Sequence, residues 1–259
     1  MSSIYSITPQ NLSRLVGTPK APLIIDVRTE EDYAADPRLI PGSLRRSAAL
    51  AESAHEFEDR PLTIVCHKGA KISQGYAAYL RNEGASAEVL EGGFVAWRDA
   101  GLPLISTGHF PKRDDRNRTL WVTRERPKVD RIACPWLIRR FIDPNAVILF
   151  VRPSEVIPVG VFFAHRGELC TFDVMLQEFG LQTGPLLRLA DMVRGADTSR
   201  LDLSPQAAGL LAASLGLSRM YSDDLEQLEA GILLYDAFYR WCRDATEETH
   251  NWPSHKAKN

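Results

Sequence analysis

The 259 residues carry 31 Lys and Arg against 33 Asp and Glu, a net charge of -2, which argues against wholesale binding to nucleic acid or an anionic membrane surface. With 44% hydrophobic and 25% charged residues, the composition is globular and the length suits two ordinary domains. The four cysteines, Cys66, Cys134, Cys170 and Cys242, are far apart and form no C-x-x-C pair, so they suggest neither a disulfide framework nor a zinc knuckle, and a reducing cytoplasm fits them.

In chain order, Thr8-Pro9 followed by Leu12, Leu15 and Val16 predicts a short capped helix, and Leu23 to Val27 a core strand ending at Asp26 and Arg28. Glu30 to Ala35 reads as a helical turn, and Pro37, Pro41 and Gly42 break the chain before a short strand. Ala48 to Glu58 reads as a weak amphipathic helix with His55 on its surface. A strand ending at Cys66 leads into a helix through Ser73, Tyr76, Ala77 and Leu80 that stops at Gly84. Ala87 to Leu90 forms another strand, and Gly92-Gly93 opens a short helix from Phe94 to Asp99. Short apolar strands alternating with helical patterns predict an α/β fold, a parallel sheet with helices on its faces.

Within that frame Cys66 stands in a strand-to-helix turn. Amides at the start of a helix lack intrahelical partners, and the helix dipole adds roughly half a positive charge there, so a thiolate or a bound anion is stabilised. Gly69 lets the chain curl, and His67, Lys68 and Lys71 add cationic or titratable side chains around the same point. A buried packing cysteine is the competing reading.

Residues 106–119, STGHFPKRDDRNRT, have almost no apolar periodicity and read as a solvated linker between a first domain (1–105) and a second (120–252), with a disordered tail at 253–259. The second domain opens on its most charge-biased stretch, with six basic and two acidic side chains between residues 121 and 140. Trp121 to Thr123 predict a strand, Pro127 interrupts, and Ile132, Trp136, Leu137 and Phe141 have helical spacing. Arg124 and Arg131 flank the break with Lys128 between them, a pattern suited to a tetrahedral oxyanion such as chromate or sulfate. Arg139 and Arg140 read as a helix flank paired with surface carboxylates.

Ala146 to Arg152 and Val161 to Ala164 predict strands of a small sheet, the latter leading to His165, which could donate to an anion or bind a metal with Glu168 and Asp173; the spacing identifies no third ligand that would fix a metal. The remainder is helical: Phe172 to Phe179, Pro185 to Arg194, Ser204 to Leu215 and Leu225 to Arg243. Starts are expected at Ser204-Pro205 and at Ser222 to Asp224, and stops at Gly180, Gly195 and Gly216. The stripe Leu225, Leu228, Ile232, Tyr235, Phe238, Tyr239 and Cys242 reads as core or as the surface of a homodimer. Cys134 and Cys170 read as packing residues.

Two resemblances follow from these motifs. Cys66, Gly69 and Lys71, with LIIDVR at Leu23–Arg28, IPGS at Ile40–Ser43 and LEGGFVAWRDAGLPL at Leu90–Leu104, resemble the rhodanese sulfurtransferases over about residues 1–105. The likeness implies a rhodanese-like sheet, a cysteine persulfide cradled by His67, Lys68, Gly69, Ala70 and Lys71, a small sulfur donor and a thiol or cyanide acceptor, and no required cofactor. It makes Asp26 and Arg28 structural partners near the loop. The family commonly closes the loop with Arg and then Ser or Thr, where this chain has Lys71 and Ile72, with Ser73 one place later. A lysine cannot form a bidentate fork, so thiosulfate is expected to be a poor donor.

WVTRERPKVDRIACPWLIRRFIDP, FFAHRGELCTFDVMLQEFGL and LLRLADMVRGAD resemble the C-terminal domain of bacterial chromate-resistance proteins over about 119–252. That likeness implies a link to chromate sensing or tolerance and carries over Arg124, Arg131 and His165. Together the two imply a cytoplasmic sulfurtransferase acting through Cys66, fused to a mostly helical α+β domain with a small sheet that handles chromate. Three readings compete: a non-catalytic oxyanion sensor or transcriptional regulator using the rhodanese fold for recognition, a DNA-binding protein, and a metalloenzyme at His165, Glu168 and Asp173. The N-terminal stretch lacks a basic start followed by an apolar core, and no run approaches the roughly 20 apolar residues that span a bilayer, so no membrane partner is expected.

Overall fold

Five short strands of the first half pair side by side in parallel: β1 (Ser6–Ile7), β2 (Leu23–Asp26), β3 (Ser43–Arg45), β4 (Leu62–Val65) and β5 (Ala87–Leu90), in the order β1-β5-β4-β2-β3. The computed structural model describes residues 4–47, 57, 60–152 and 169–248. The helices of this half are α1 (Pro9–Leu15), α2 (Glu30–Ala35), α3 (Lys71–Asn82) and α4 (Gly93–Asp99). The Thr8 hydroxyl accepts from the Asn11 amide at 3.2 Å and the Thr29 hydroxyl from the Asp32 amide at 3.1 Å, fixing where α1 and α2 begin.

The central strands β2 and β4 are buried on both faces, and the alternation along the sheet sorts side chains between two apolar clusters. Leu23, Ile25, Leu62, Ile64, Ala87 and Val89 pack with Tyr76, Ala77 and Leu80 of α3. The opposite residues Ile24, Val65 and Leu90 join Leu12, Phe94 and Trp97, and this second cluster runs without a break into the other half of the chain, through Trp121, Trp136 and Phe141. The two halves therefore share one core.

The second half holds β6 (Leu120–Arg124) and β7 (Val147–Val151), paired in parallel from Leu120 with Val147 to Arg124 with Val151. A parallel pair needs a crossover, and α5 (Asp130–Leu137), prolonged by a π-helical turn at Ile138–Ile142, supplies it. Helices α6 (Thr171–Glu178), α7 (Gly184–Asp197), α8 (Ala207–Met220) and α9 (Asp224–Asp244) follow, with a 3-10 turn at Leu201–Leu203. The α9 stripe is core: Leu228, Ile232, Tyr235, Tyr239 and Cys242 are buried, while Leu225 at its start is half exposed.

Several expectations are corrected. Gly195 and Gly216 do not end helices; α7 and α8 run through them. A Cβ at Gly195 would meet the Arg200 carbonyl oxygen at 2.9 Å and the Ala207 Cβ at 3.0 Å, so its task is close approach of the chain after α7. Helix α8 starts at Ala207, after the expected Ser204-Pro205. Arg140 does not face a surface carboxylate. It forks onto Asp236 at 2.8 and 2.7 Å, and the buried Asp236 carboxylate also accepts the Trp136 indole N–H at 2.8 Å. Arg139 reaches the exposed Glu229, as expected.

The segment 106–119 packs against the folded body. The Ser106 amide donates to the Phe179 carbonyl at 3.3 Å, Arg113 pairs with the buried Asp143 at 3.0 Å, and Thr119 is fully buried with its hydroxyl on Asp143 at 2.7 Å. Ala48 to Glu58 apart from Phe57, Val161 to Ala164, His165, Glu168 and the tail lie outside the described residues.

Candidate active site around Cys66 and a basic turn in the second half

Strand β4 delivers Cys66 to the carboxyl end of the parallel sheet, where open α/β sheets place their ligand sites. Residue 66 is 4% exposed and belongs to the cluster beneath α3, yet its sulfur has polar company. The Sγ lies 3.0 Å from the Ser73 Oγ, and that hydroxyl is 3.1 Å from the Ala70 carbonyl oxygen. Above the sulfur the loop turns outward: Lys68, Ala70 and Lys71 are exposed, and His67 and Gly69 are partly covered. Lys71 is the first residue of α3, with no side-chain cap ahead of it, so the orphan amides there are left for a ligand or solvent.

The loop can take this path because glycine backs glycine. Gly69 has φ +64°, and a Cβ on it would strike the Leu90 carbonyl oxygen at 2.5 Å. Gly93 has φ +60°, and its Cβ would strike the Cys66 carbonyl oxygen at 2.2 Å and the Gly69 nitrogen at 2.4 Å. The Phe94 amide then donates to the Cys66 carbonyl at 2.9 Å and the Val95 amide to that of His67 at 3.0 Å, pinning the loop to the start of α4.

Beside it Asp26 and Arg28 form a buried pair at 2.7 Å. The guanidinium also donates to the Asp36 and Arg38 carbonyls at 2.9 and 2.7 Å and lies 3.7 Å from the Phe94 ring centre. These partners are all scaffold groups, as the resemblance implied. The His67 Nδ1 is 3.8 Å from Asp32, too far for a hydrogen bond.

In the second half Arg124 ends β6 and Arg131 is the second residue of α5, with Lys128 between them. A cleft of about 170 Å³ gathers a different set, Arg126, Lys128, Ser218 and Arg219 beside Leu215. Asp173 is taken up locally: its carboxylate accepts from the Cys170 amide at 3.1 Å and from Arg194 at 2.7 Å, which removes it as a free metal ligand. Among the described residues no group of three His, Cys, Asp or Glu could hold a metal ion. Cys134 and Cys170 are buried, and their thiols lie 3.4 Å from Asp130 and 3.2 Å from Asp173. Burial foremost, then the Asp130 charge, raises both thiols above the ordinary cysteine range, so they are protonated and inert as nucleophiles.

Comparison with known proteins finds matches to both parts of the chain. Residues 8–100 match the rhodanese-like domain model and residues 121–242 the ChrB C-terminal domain model. The chain joins a rhodanese-like domain to a ChrB C-terminal domain. It is 35% identical over 167 residues to Protein ChrB of Cupriavidus metallidurans, which covers 56% of this chain and 51% of that one. The chain thus spans about half the length of this curated relative. It is 29% identical over 106 residues to a sulfurtransferase of Allochromatium vinosum, 40% of this chain and 96% of that one. Among solved structures, a rhodanese-like domain protein from Staphylococcus aureus is 31% identical over 39% of this chain and 97% of its own, with a TM-score of 0.34.

The rhodanese-like domain thus supplies Cys66 and its loop, and the ChrB C-terminal domain the basic turn. The sequence reading missed three parts of the site: Gly93 as the back wall of the loop, the Ser73 hydroxyl on the sulfur, and Arg126, Ser218 and Arg219. The Gly92-Gly93 pair and the serine one helical turn into α3 were the available signals. Nothing in the sequence relates α8 to the basic turn. No helix among the described residues is long and apolar enough to cross a membrane.

Proposed function

We propose that this chain moves sulfane sulfur through a persulfide on Cys66, and that its ChrB C-terminal domain ties this chemistry to chromate sensing or resistance. What supports the first part is the Cys66 sulfur at a parallel-strand end, under a loop bent at Gly69 and backed by Gly93.

The Cys66 thiolate attacks the outer sulfur of a donor such as thiosulfate. The donor S–S bond breaks, sulfite leaves with the electron pair, and Cys66 carries a terminal sulfur anion. Loop amides from His67 to Lys71 and the ammonium groups of Lys68 and Lys71 stabilise that anion. Cyanide or a thiolate then attacks the terminal sulfur, departs as thiocyanate or a persulfide, and restores the Cys66 thiolate. The route needs no metal or organic cofactor, and the four free cysteines are the ground for placing the chain in the cytoplasm.

Chromate is a tetrahedral dianion like sulfate and an oxidant of thiols, so a sulfur-handling domain and an oxyanion-handling one make chemical sense together. The basic side chains Arg124, Lys128 and Arg131 are the candidates for its contacts.

A second reading draws on the near-complete burial of Cys66 and on Lys71 standing where a forked arginine would hold thiosulfate. In it the rhodanese-like domain is a recognition module of an oxyanion sensor or regulator. Incubation with thiosulfate and with polysulfide, followed by intact mass measurement, separates the two. The wild type should gain one sulfur and Cys66→Ser none. Undiminished uptake by Cys66→Ser would end the assignment, and absent uptake with tight chromate binding would decide for the sensor.

A further inference from the structure

The turn from β6 to α5 is strained, and one helix holds it. Arg126 has φ +56° and Val129 φ +34°, in the region that L side chains rarely adopt and that a β-branched residue adopts least. Three α9 side chains impose this path. The Asp224 carboxylate accepts the Arg126 amide at 3.2 and 3.0 Å, the Gln227 amide donates to the Pro127 carbonyl at 2.6 Å, and the Tyr235 hydroxyl donates to the Val129 carbonyl at 2.8 Å. Gln227 and Tyr235 are buried, so the clamp is built into the core.

The strained turn presents Arg126 and Lys128 to the 170 Å³ cleft, whose other wall is Leu215, Ser218 and Arg219 of α8. Arg126, Lys128 and Arg219 are exposed, and their charged groups have no carboxylate partner among the described residues. The Asp224 carboxylate faces the Arg126 backbone, and Glu125 is the other acid on the turn. Ser218 is 6% exposed and lines the same cleft. Two guanidinium forks, one ammonium and one hydroxyl around a small cleft suit a tetrahedral dianion. Leu215, 44% exposed, gives the cleft an apolar wall that a bare oxyanion would not use.

We infer that Arg126, Lys128, Ser218 and Arg219 form a binding site for a phosphate monoester whose organic part lies against Leu215. It rests on the oxyanion reading of the ChrB C-terminal domain for its charge and shares only Lys128 with that reading's residues, and it is independent of the Cys66 chemistry.

Titration calorimetry of the full chain with phenyl phosphate, inorganic phosphate, sulfate and chromate, at fixed ionic strength set with chloride, tests it. Phenyl phosphate should bind at least about tenfold more tightly than the inorganic anions. Arg219→Ala should weaken it by about tenfold or more. Arg126→Gly should do the same, and it keeps the backbone path because glycine accepts the positive φ. Leu215→Ser, an exposed position, should weaken phenyl phosphate and leave inorganic phosphate unchanged. Cys66→Ser should bind as the wild type does. Chromate failing to bind would overturn the oxyanion reading while leaving the ester site standing. Equal affinity for phenyl phosphate and inorganic phosphate, or full affinity in folded Arg126→Gly, would overturn the proposal. So would binding to duplex DNA that phenyl phosphate does not displace.

Discussion

The Cys66 sulfur and the Ser73 hydroxyl stand 3.0 Å apart, and the hydroxyl is a further 3.1 Å from the Ala70 carbonyl. A serine hydroxyl has one proton, so it can donate to a sulfur anion or to that carbonyl, but not fully to both. With the thiol protonated, the serine proton goes to Ala70; with the thiolate formed, it turns to the sulfur. Ser73→Ala should therefore slow sulfur uptake by about tenfold, the worth of one hydrogen bond to an anion. Its melting temperature should stay within a few degrees of wild type. Stopped-flow measurement of persulfide formation checks this, and an unchanged rate would remove Ser73 from the mechanism.

Lys71 meets an anion as a point charge, whereas an arginine would grip two oxygens at once. Residue 71 is exposed at the first position of α3, so Lys71→Arg should fold normally. Its KM for thiosulfate should fall severalfold, with little change for a polysulfide donor that lacks the sulfonate oxygens. Equal effects on both donors would show that the side chain does not contact the donor.

Asp236 takes three hydrogen bonds, one from the Trp136 indole and two from Arg140, while 5% exposed. Removing it leaves a partly buried guanidinium and a buried indole N–H unpaired. Asp236→Ala should cost about 3–5 kcal/mol of stability. Urea unfolding measures it, and a loss below about 1 kcal/mol would mean that water replaces the carboxylate.

Burial pushes the Cys242 thiol from 9.0 up to about 11 and, with nearby acids, raises Cys134 and Tyr235 well above their ordinary values. The folded chain then binds these protons more tightly than the unfolded one. Their contribution to stability is whole below pH 9 and is lost as the pH climbs from 9 towards 11. The urea midpoint should fall steadily over that window, and less steeply in Cys242→Ala. A flat midpoint between pH 9 and 11 would contradict the burial argument.

Strand and helix alternation in the first half was readable because its residues alternate in type. Val65 and Ile64 face different clusters, and Ser73, Tyr76, Ala77 and Leu80 line one side of a helix. Cys66 could be singled out because Gly69, His67 and two lysines follow it within five positions. The roles of Gly195 and Gly216 could not be read: a glycine that ends a helix and one that lets a chain pass close by look alike in sequence.

The sequence alone determined the two-part order, the parallel sheet and the candidate cysteine, since each rests on residues within about ten positions of one another. Only the tertiary structure decided what stands behind the Cys66 loop, which acid Arg140 meets, and which cations share a cleft. Those arrangements bring together residues 24 to about 100 positions apart, Gly69 against Gly93, Arg140 on Asp236, and Lys128 with Arg219 around one cleft. Local periodicity reports which face of an element is buried; what that face meets depends on how the chain closes on itself.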